Sequence, residues 1–446
     1  MKTPICDFVR GYAESDAVRL HMPGHKGVRF TGAEPYDITE IDGADVLYHS
    51  DGIIRQSEDN AAELFGSART VYSAEGSSLS IRAMLYLATV YAKFVGRKPL
   101  IAAGRNAHKT FMNAAAMLDF SVEWLYSAEG TAMLNCDITP SSLEEKLDSM
   151  KDKPIAVYIT SPDYLGAVSD VLGLAAVCHR HGVLLLVDNA HGAYLNFLES
   201  SRHPMALGAD MCADSAHKTL PVLTGGAYLH ISKNAPAFFS EHCERAMALF
   251  ASTSPSYLIL QSLDMANRYL AEGYREKLEV CAARVAHFAD FLRNRGYTVN
   301  CGEPLKVNIM PKCMGYTGAE LAEKLLEFGI VCEFSDPDNC VMMFTPEIGE
   351  EVFSRLESAF EKVPHRTPIE TCPPNAVVSR SVMSVREAVF SDSETVLVKD
   401  AVGRILADPC VACPPAVPIL MCGELIIEAA VNAFLYYGVE SVRVIK

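Results

Sequence analysis

The sequence predicts an α/β fold with a mostly parallel sheet, followed by a smaller α+β domain and a C-terminal domain. Three observations carry this. The runs "PIAVYIT" and "GVLLLVD" are short, apolar and rich in branched residues, as strands buried on both faces are. Between them, "LGLAAVCHRH" reads as a crossover helix, and strand–helix–strand alternation is the pattern of a doubly wound sheet. Beyond about residue 255 the alternation gives way to a long helical stretch and then to strands of a different order.

The elements follow in chain order. Residues 1–35 are rich in Gly, His, Pro and Arg around "RLHMPGHKG" and show little periodicity, so they read as an N-terminal arm. Residues 36–255 form the large domain. Within it "SLSIRAMLYLATVYAKF" and "HKTFMNAAAMLDF" read as helices and "PLIAAG" as a strand. Residues 256–365 form the small α+β domain. It starts with one helical stretch from Tyr257 towards Arg295, followed by strands "YTVN" and "KVNIMP", helix "TGAELAEKLLEFG" and strands "VCEF" and "CVMMF". The proline-bearing "KVPHRTPIETCPPN" reads as a linker, and residues 366–446 as a third compact unit.

Composition narrows the function. At 446 residues the chain exceeds one simple core. Half its residues are apolar, as in an ordinary globular protein. A net charge of −16 repels phosphate backbones, which argues against a nucleic-acid partner. The N-terminal "MKTPICDFVRGYAESD" lacks a secretory apolar core, and no apolar run approaches the roughly 20 residues of a membrane helix. A cytoplasmic protein without a membrane partner is the expectation. The 14 cysteines are scattered and read as free thiols. Cys410 and Cys413 form a lone CxxC that Cys422 does not complete, so no metal is expected.

One constellation suggests chemistry. Asp188 ends the strand "GVLLLVD" and opens into "NAHGAY" with His191 and Gly192; "SAHK" follows, ending at Lys218. Ligands of open α/β sheets sit at the carboxyl ends of strands. A strand-end aspartate is often only a cap. Its pairing with a Ser-x-His-Lys segment instead suggests pyridoxal 5'-phosphate, which needs a lysine amine, a carboxylate on its pyridinium nitrogen and a phosphate cup. Lys218 fits the first need and Asp188 the second. For the third, Gly76, Ser77 and Ser78 precede a helix whose free N–H groups attract phosphate, although a plain helix cap would look the same. Ser215 and His217 can add donors from the lysine loop. His108, in "GRNAHKT", reads equally as a surface histidine beside Arg105 and Lys109 or as an imidazole stacked on the cofactor ring.

Together these segments resemble the ornithine/lysine/arginine decarboxylase family, a branch of the aspartate-aminotransferase-like enzymes. The matches run in order: "HMPGHKG", "DITEIDGADVLYHSDGIIRQSEDNAAELFG", "GRNAHKT", "SPDYLGAVSD", "DNAHGAY", "SAHKTL", "AVGRILA" and "PPAVPILMCGE". The length is similar to that of the short bacterial form. The resemblance implies a large cofactor-binding domain of the PLP-dependent transferase type, a small domain and a C-terminal domain, assembled as a homodimer or as a higher assembly of dimers. It implies Lys218 as the Schiff-base lysine, Asp188 as the pyridinium partner, His108 as the stacking residue, and Gly76, Ser77, Ser78, Ser215 and His217 around the phosphate. His191 falls near the cofactor oxygen or the substrate carboxylate, and His25 and Lys26 at the interface.

The sequence also departs from the family pattern. Glu75 replaces Asn in the cup, Asp163 stands where Thr is usual, and "CPPAVP" and "CGE" replace the usual C-terminal motifs. These departures bear on the substrate. The expected reaction is decarboxylation of arginine, lysine or ornithine to the amine and CO2, as in polyamine metabolism. Catalysis falls to Lys218, His108 and His191, with Glu424 and Asp163 as candidates for the distal cation. The alternative is an aminotransferase or another lyase of the same fold. It would need an arginine gripping the α-carboxylate, and Arg380 and Arg386 are the candidates. A third reading is a protein of this fold that has lost catalysis; the intact Lys218 and Asp188 argue against it.

Overall fold

The computed structural model describes residues 1–127, 136–408, 412–413 and 417–446. Cys410 and the Cys413 side chain lie outside the described residues, as do Pro414 and Pro415. The chain forms two compact units. The first comprises Met1–Pro99, Met150–Ile159 and Val171–Lys277; the second comprises Leu100–Ser149, Thr160–Asp170 and Leu278–Lys446.

The α/β part has seven strands: β1 (Arg69–Ser73), β2 (Leu100–Gly104), β3 (Ser121–Leu125), β4 (Ala156–Thr160), β5 (Leu184–Asp188), β6 (Met211–Asp214) and β7 (Ala227–Ile231). In the first unit they stand in the order β1-β7-β6-β5-β4. β5 and β6 are parallel, with Asp188 opposite Ala213, and β7 runs antiparallel between β6 and β1. Every residue of β1, β5, β6 and β7 is buried, which is why β5 reads as a continuous apolar run and not as an alternating one. Helix α1 (Pro4–Ala13) buries Ile5 and Val9. Helix α2 (Ile53–Phe65) buries Ile54, Ala61 and Phe65 at helical spacing and ends on Gly66, whose φ of +68° suits glycine. Helix α3 (Ser77–Phe94) is the helix the sequence predicts, extended by one residue.

In the second unit β2 and β3 are parallel, and α4 (Lys109–Leu118) follows β2. An antiparallel sheet of order β10-β11-β9-β8 is built from β8 (Thr298–Asn300), β9 (Lys306–Met310), β10 (Phe334–Ser335) and β11 (Cys340–Met343). The segment "VCEF" is thus strand only at its end. Near the C-terminus, strand Ser393–Leu397 pairs antiparallel with Ser441–Ile445 around a core of Val398, Leu406, Leu420, Phe434 and Val444. The stretch from Tyr257 to Arg295, expected as one helix, is two: Tyr257–Ala271 and Tyr274–Asn294. The break falls at Gly273, whose φ of +82° cannot continue a right-handed helix.

Candidate active site

The candidate site is built in the first unit on two neighbouring parallel strand ends. β5 delivers Asp188 and the turn that follows it. β6 delivers Ser215 and the helical turn Ala216–Thr219, which carries Lys218. Parallel strands send both loops out on the same rim. The Lys218 Nζ lies 3.2 Å from His191 Nε2, so the amine and the imidazole share one hydrogen bond.

Asp188 is buried. Its Oδ2 accepts from the Tyr158 hydroxyl at 3.1 Å and its Oδ1 from the Ala190 amide at 3.2 Å. Burial pushes its carboxyl above the usual range, against the pull of the Lys218 cation and the Tyr158 bond. A carboxylate held this way gains from a cationic N–H donor, which is what a pyridinium offers.

The cup is held against the lysine loop. Gly76 has φ +75° and ψ 173°, a conformation open to glycine, and no side chain caps the helix it starts. The positive end of the α3 dipole is therefore not covered by a capping side chain, which favours an anion there. Ser215 Oγ donates to Ser77 Oγ at 2.6 Å, and the Gly76 amide donates to the Gly225 carbonyl at 2.7 Å. A Cβ on Gly225 would sit 3.0 Å from the Ala74 carbonyl oxygen, so glycine permits that approach. The Ser78 side chain is half-buried in the same first turn. The His217 ring and backbone both bind the Gly226 carbonyl, at 3.0 and 3.1 Å, and burial lowers its pKa. The exposed Glu75 points its Oε1 at the Ser252 amide, 2.7 Å away, so the residue that replaces Asn fastens a neighbouring segment.

The other expected residues belong to the second unit or to the N-terminal arm, where each has contacts of its own. His108, in the second unit, is the N-cap of α4; its Nδ1 accepts from the Thr110 amide at 3.2 Å. Asp163 closes a turn by accepting from the Ala167 amide at 2.8 Å; burial raises its pKa to about 6. Glu424 is buried, with Oε2 accepting from Arg105 at 2.8 Å and from the Met421 amide at 2.9 Å. Burial raises its carboxyl even against the Arg105 charge. Arg380 is exposed, and Arg386 donates to the Ala116 and Met117 carbonyls at the end of α4. Within the N-terminal arm, His25 Nε2 lies 3.2 Å from Asp37 and Lys26 donates to the His21 carbonyl at 2.5 Å.

The family model for the Orn/Lys/Arg decarboxylase major domain matches residues 3–311. This chain belongs to that family. Its activity is the decarboxylation of a basic amino acid. The decarboxylase is 29% identical to an arginine decarboxylase of Halalkalibacterium halodurans, over 96% of this chain and 92% of that one. It is 28% identical to an arginine decarboxylase of Bacillus subtilis, over 97% and 92%. In fold it is similar to lysine decarboxylase A from Pseudomonas aeruginosa, with a TM-score of 0.81 and 17% identity, over 99% of this chain and 80% of that one.

Next to the lysine turn of the decarboxylase lie residues that sequence reasoning missed. Asp214, fully buried before the lysine turn, accepts from Asn189 Nδ2 at 2.7 Å and from His203 Nε2 at 2.9 Å, with His230 Nε2 at 3.3 Å. With Cys212 these groups bring four ligand-type atoms within 4.8 Å of one another. The Met205 amide donates to His203 Nδ1 at 3.3 Å, which leaves that ring's proton on Nε2, facing Asp214. The arrangement is therefore a hydrogen-bonded network between the loops that carry Asp188 and Lys218. The one signal in the sequence is an acidic residue inside an otherwise apolar strand end; Tyr158 and the two histidines carry none.

Proposed function

We propose that this decarboxylase acts on arginine, with pyridoxal 5'-phosphate held by Lys218. The carrying observation is the Lys218–His191 contact on neighbouring parallel strand ends, beside a buried Asp188. The donor set suits the cofactor: Asp188 for the ring nitrogen, and Gly76, Ser77, Ser78, Ser215 and His217 for the phosphate. When bound, the cofactor supplies a sink for the electrons of the bond broken at Cα. The chain does the rest. Asp188, kept from water, would hold a proton on the ring nitrogen. Lys218 must be neutral to react, and His191 Nε2 is placed to take its proton. The same pair is placed to return a proton to the substrate carbon after CO2 leaves. His108 is assigned to the face of the cofactor ring on the family resemblance. Arginine is favoured because the curated relatives above are named arginine decarboxylases.

The test is CO2 release from a panel of arginine, lysine, ornithine and neutral amino acids, with Lys218→Ala alongside. Arginine should give agmatine, and the variant should lose the visible cofactor band and activity. A keto acid product would turn the reading towards an aminotransferase. A variant with full activity would overturn the role of Lys218.

We also propose a cytoplasmic homodimer that serves polyamine synthesis. The N-terminal arm supports a self-association surface: Leu20 is 88% and Phe30 79% exposed, an apolar area that a second copy would cover. Among the described residues no helix is long and apolar enough to cross a membrane.

A further inference from the structure

In the second unit, Cys332 lies just before β10 and Cys340 opens β11. The two strands are the arms of a hairpin, paired Phe334 to Val341 and Ser335 to Cys340. The turn between them is fixed by the Asp336 carboxylate, which accepts from the amides of Asp338 and Asn339 at 2.7 and 2.6 Å. The Glu333 amide donates to the Val341 carbonyl at 3.0 Å, so the backbone is also tied next to Cys332. Within this rigid frame the two sulfurs approach to 3.5 Å, with the Cys340 thiol donating to Cys332 Sγ. A disulfide needs about 2.05 Å, so closing the gap takes side-chain rotation on the order of 1.5 Å of sulfur travel and no new fold.

The two thiols are unequal in the way that exchange chemistry requires. Cys340 is fully buried, whereas Cys332 is part-exposed and lines a cavity of about 490 Å³ together with Ile330, Met342, Phe344 and Leu356. Cys332 is thus the sulfur a small molecule can reach. The S–H bond from Cys340 lowers its pKa, which favours the thiolate that attacks. Buried thiols such as Cys178 and Cys243, by contrast, are pushed up to about 12 by burial.

We propose that Cys332 and Cys340 form a reversible intrachain disulfide by exchange with a low-molecular-weight disulfide such as oxidised glutathione. The Cys332 thiolate attacks one glutathione sulfur, and the glutathione S–S bond breaks. One glutathione thiolate leaves and a mixed disulfide remains on Cys332. Cys340, losing its proton, attacks the Cys332 sulfur and expels the second glutathione. The two cysteines are oxidised, the glutathione disulfide is reduced to two thiols, and the two protons released end on those thiols. The product is a cross-link that pins both arms of the hairpin at the wall of the cavity.

A single tryptic peptide, residues 325–355, carries both cysteines, whereas the exposed Cys313 falls in the preceding one. The full-length protein is exposed to oxidised glutathione, its free thiols are alkylated under denaturing conditions, and the digest is weighed. The expected result is a 325–355 peptide lighter by two hydrogens and unalkylated, restored to two alkylations by dithiothreitol. Cys340→Ser should convert it to a stable glutathione adduct at Cys332, and Cys332→Ser should leave Cys340 alkylated. A wild-type peptide that remains doubly alkylated while Cys313 becomes glutathionylated would overturn the proposal. So would a glutathione adduct that persists on wild-type Cys332.

Discussion

Asp214 shows what one residue can hold together. Burial alone would raise its carboxyl, yet His203 and His230 hold it well below the usual carboxylate range. A depressed folded-state pKa stabilises the fold at any pH above the unfolded value of about 3.9, and the gain is lost as pH falls through the folded value. Asp214→Asn should therefore lower stability at neutral pH by about 3 kcal/mol, because two imidazoles lose a buried anion. The gap between variant and wild type should close as the solution is acidified below pH 4. Urea denaturation at pH 7 and pH 3 measures both. Lys218 and Asp188 could be read from the sequence because residue type and spacing carry their chemistry. Asp214 could not, because its partners arrive from other elements and its meaning depends on burial.

Among the elements, α3 and α4 separate what is structural from what serves the site. At the start of α3, Gly76 holds φ +75°. Gly76→Ala should impose strain of about 1–3 kcal/mol there and raise the cofactor Kd about tenfold or more; fluorescence titration of the apoenzyme reads it. At the end of α4, Arg386 donates to two carbonyls and is itself exposed. Arg386→Ala should cost about 1 kcal/mol, seen as a small drop in Tm. It should leave kcat unchanged, whereas an arginine that grips substrate would not. The strands β2, β4 and β5 were legible to within about two residues because they are apolar and largely buried, whereas β1, β3, β6 and β7 were not read. The long helix was not, since the periodicity of its halves continues across Glu272 and Gly273, and the break is in the backbone of these two residues. The strand "VCEF" was legible only at its end, because the ladder with β11 is two pairs long, Phe334 to Val341 and Ser335 to Cys340.

For the whole molecule, ordered matches along the chain gave the family, while net charge and composition only argued against a nucleic-acid partner. The proposed homodimer is tested by light scattering: the mass should be twice that of the chain. Leu20→Ser with Phe30→Ser should shift it towards the monomer. The network around Asp214 has a consequence on the time scale of sequence change. Asp214, His203 and His230 balance one buried charge between them, so replacing any one strands the others. Drift at these three positions must then pass through a costly intermediate or move in concert. Lineages of this chain should keep the trio whole or exchange it as a block, and a survey of their substitutions would show the positions changing together.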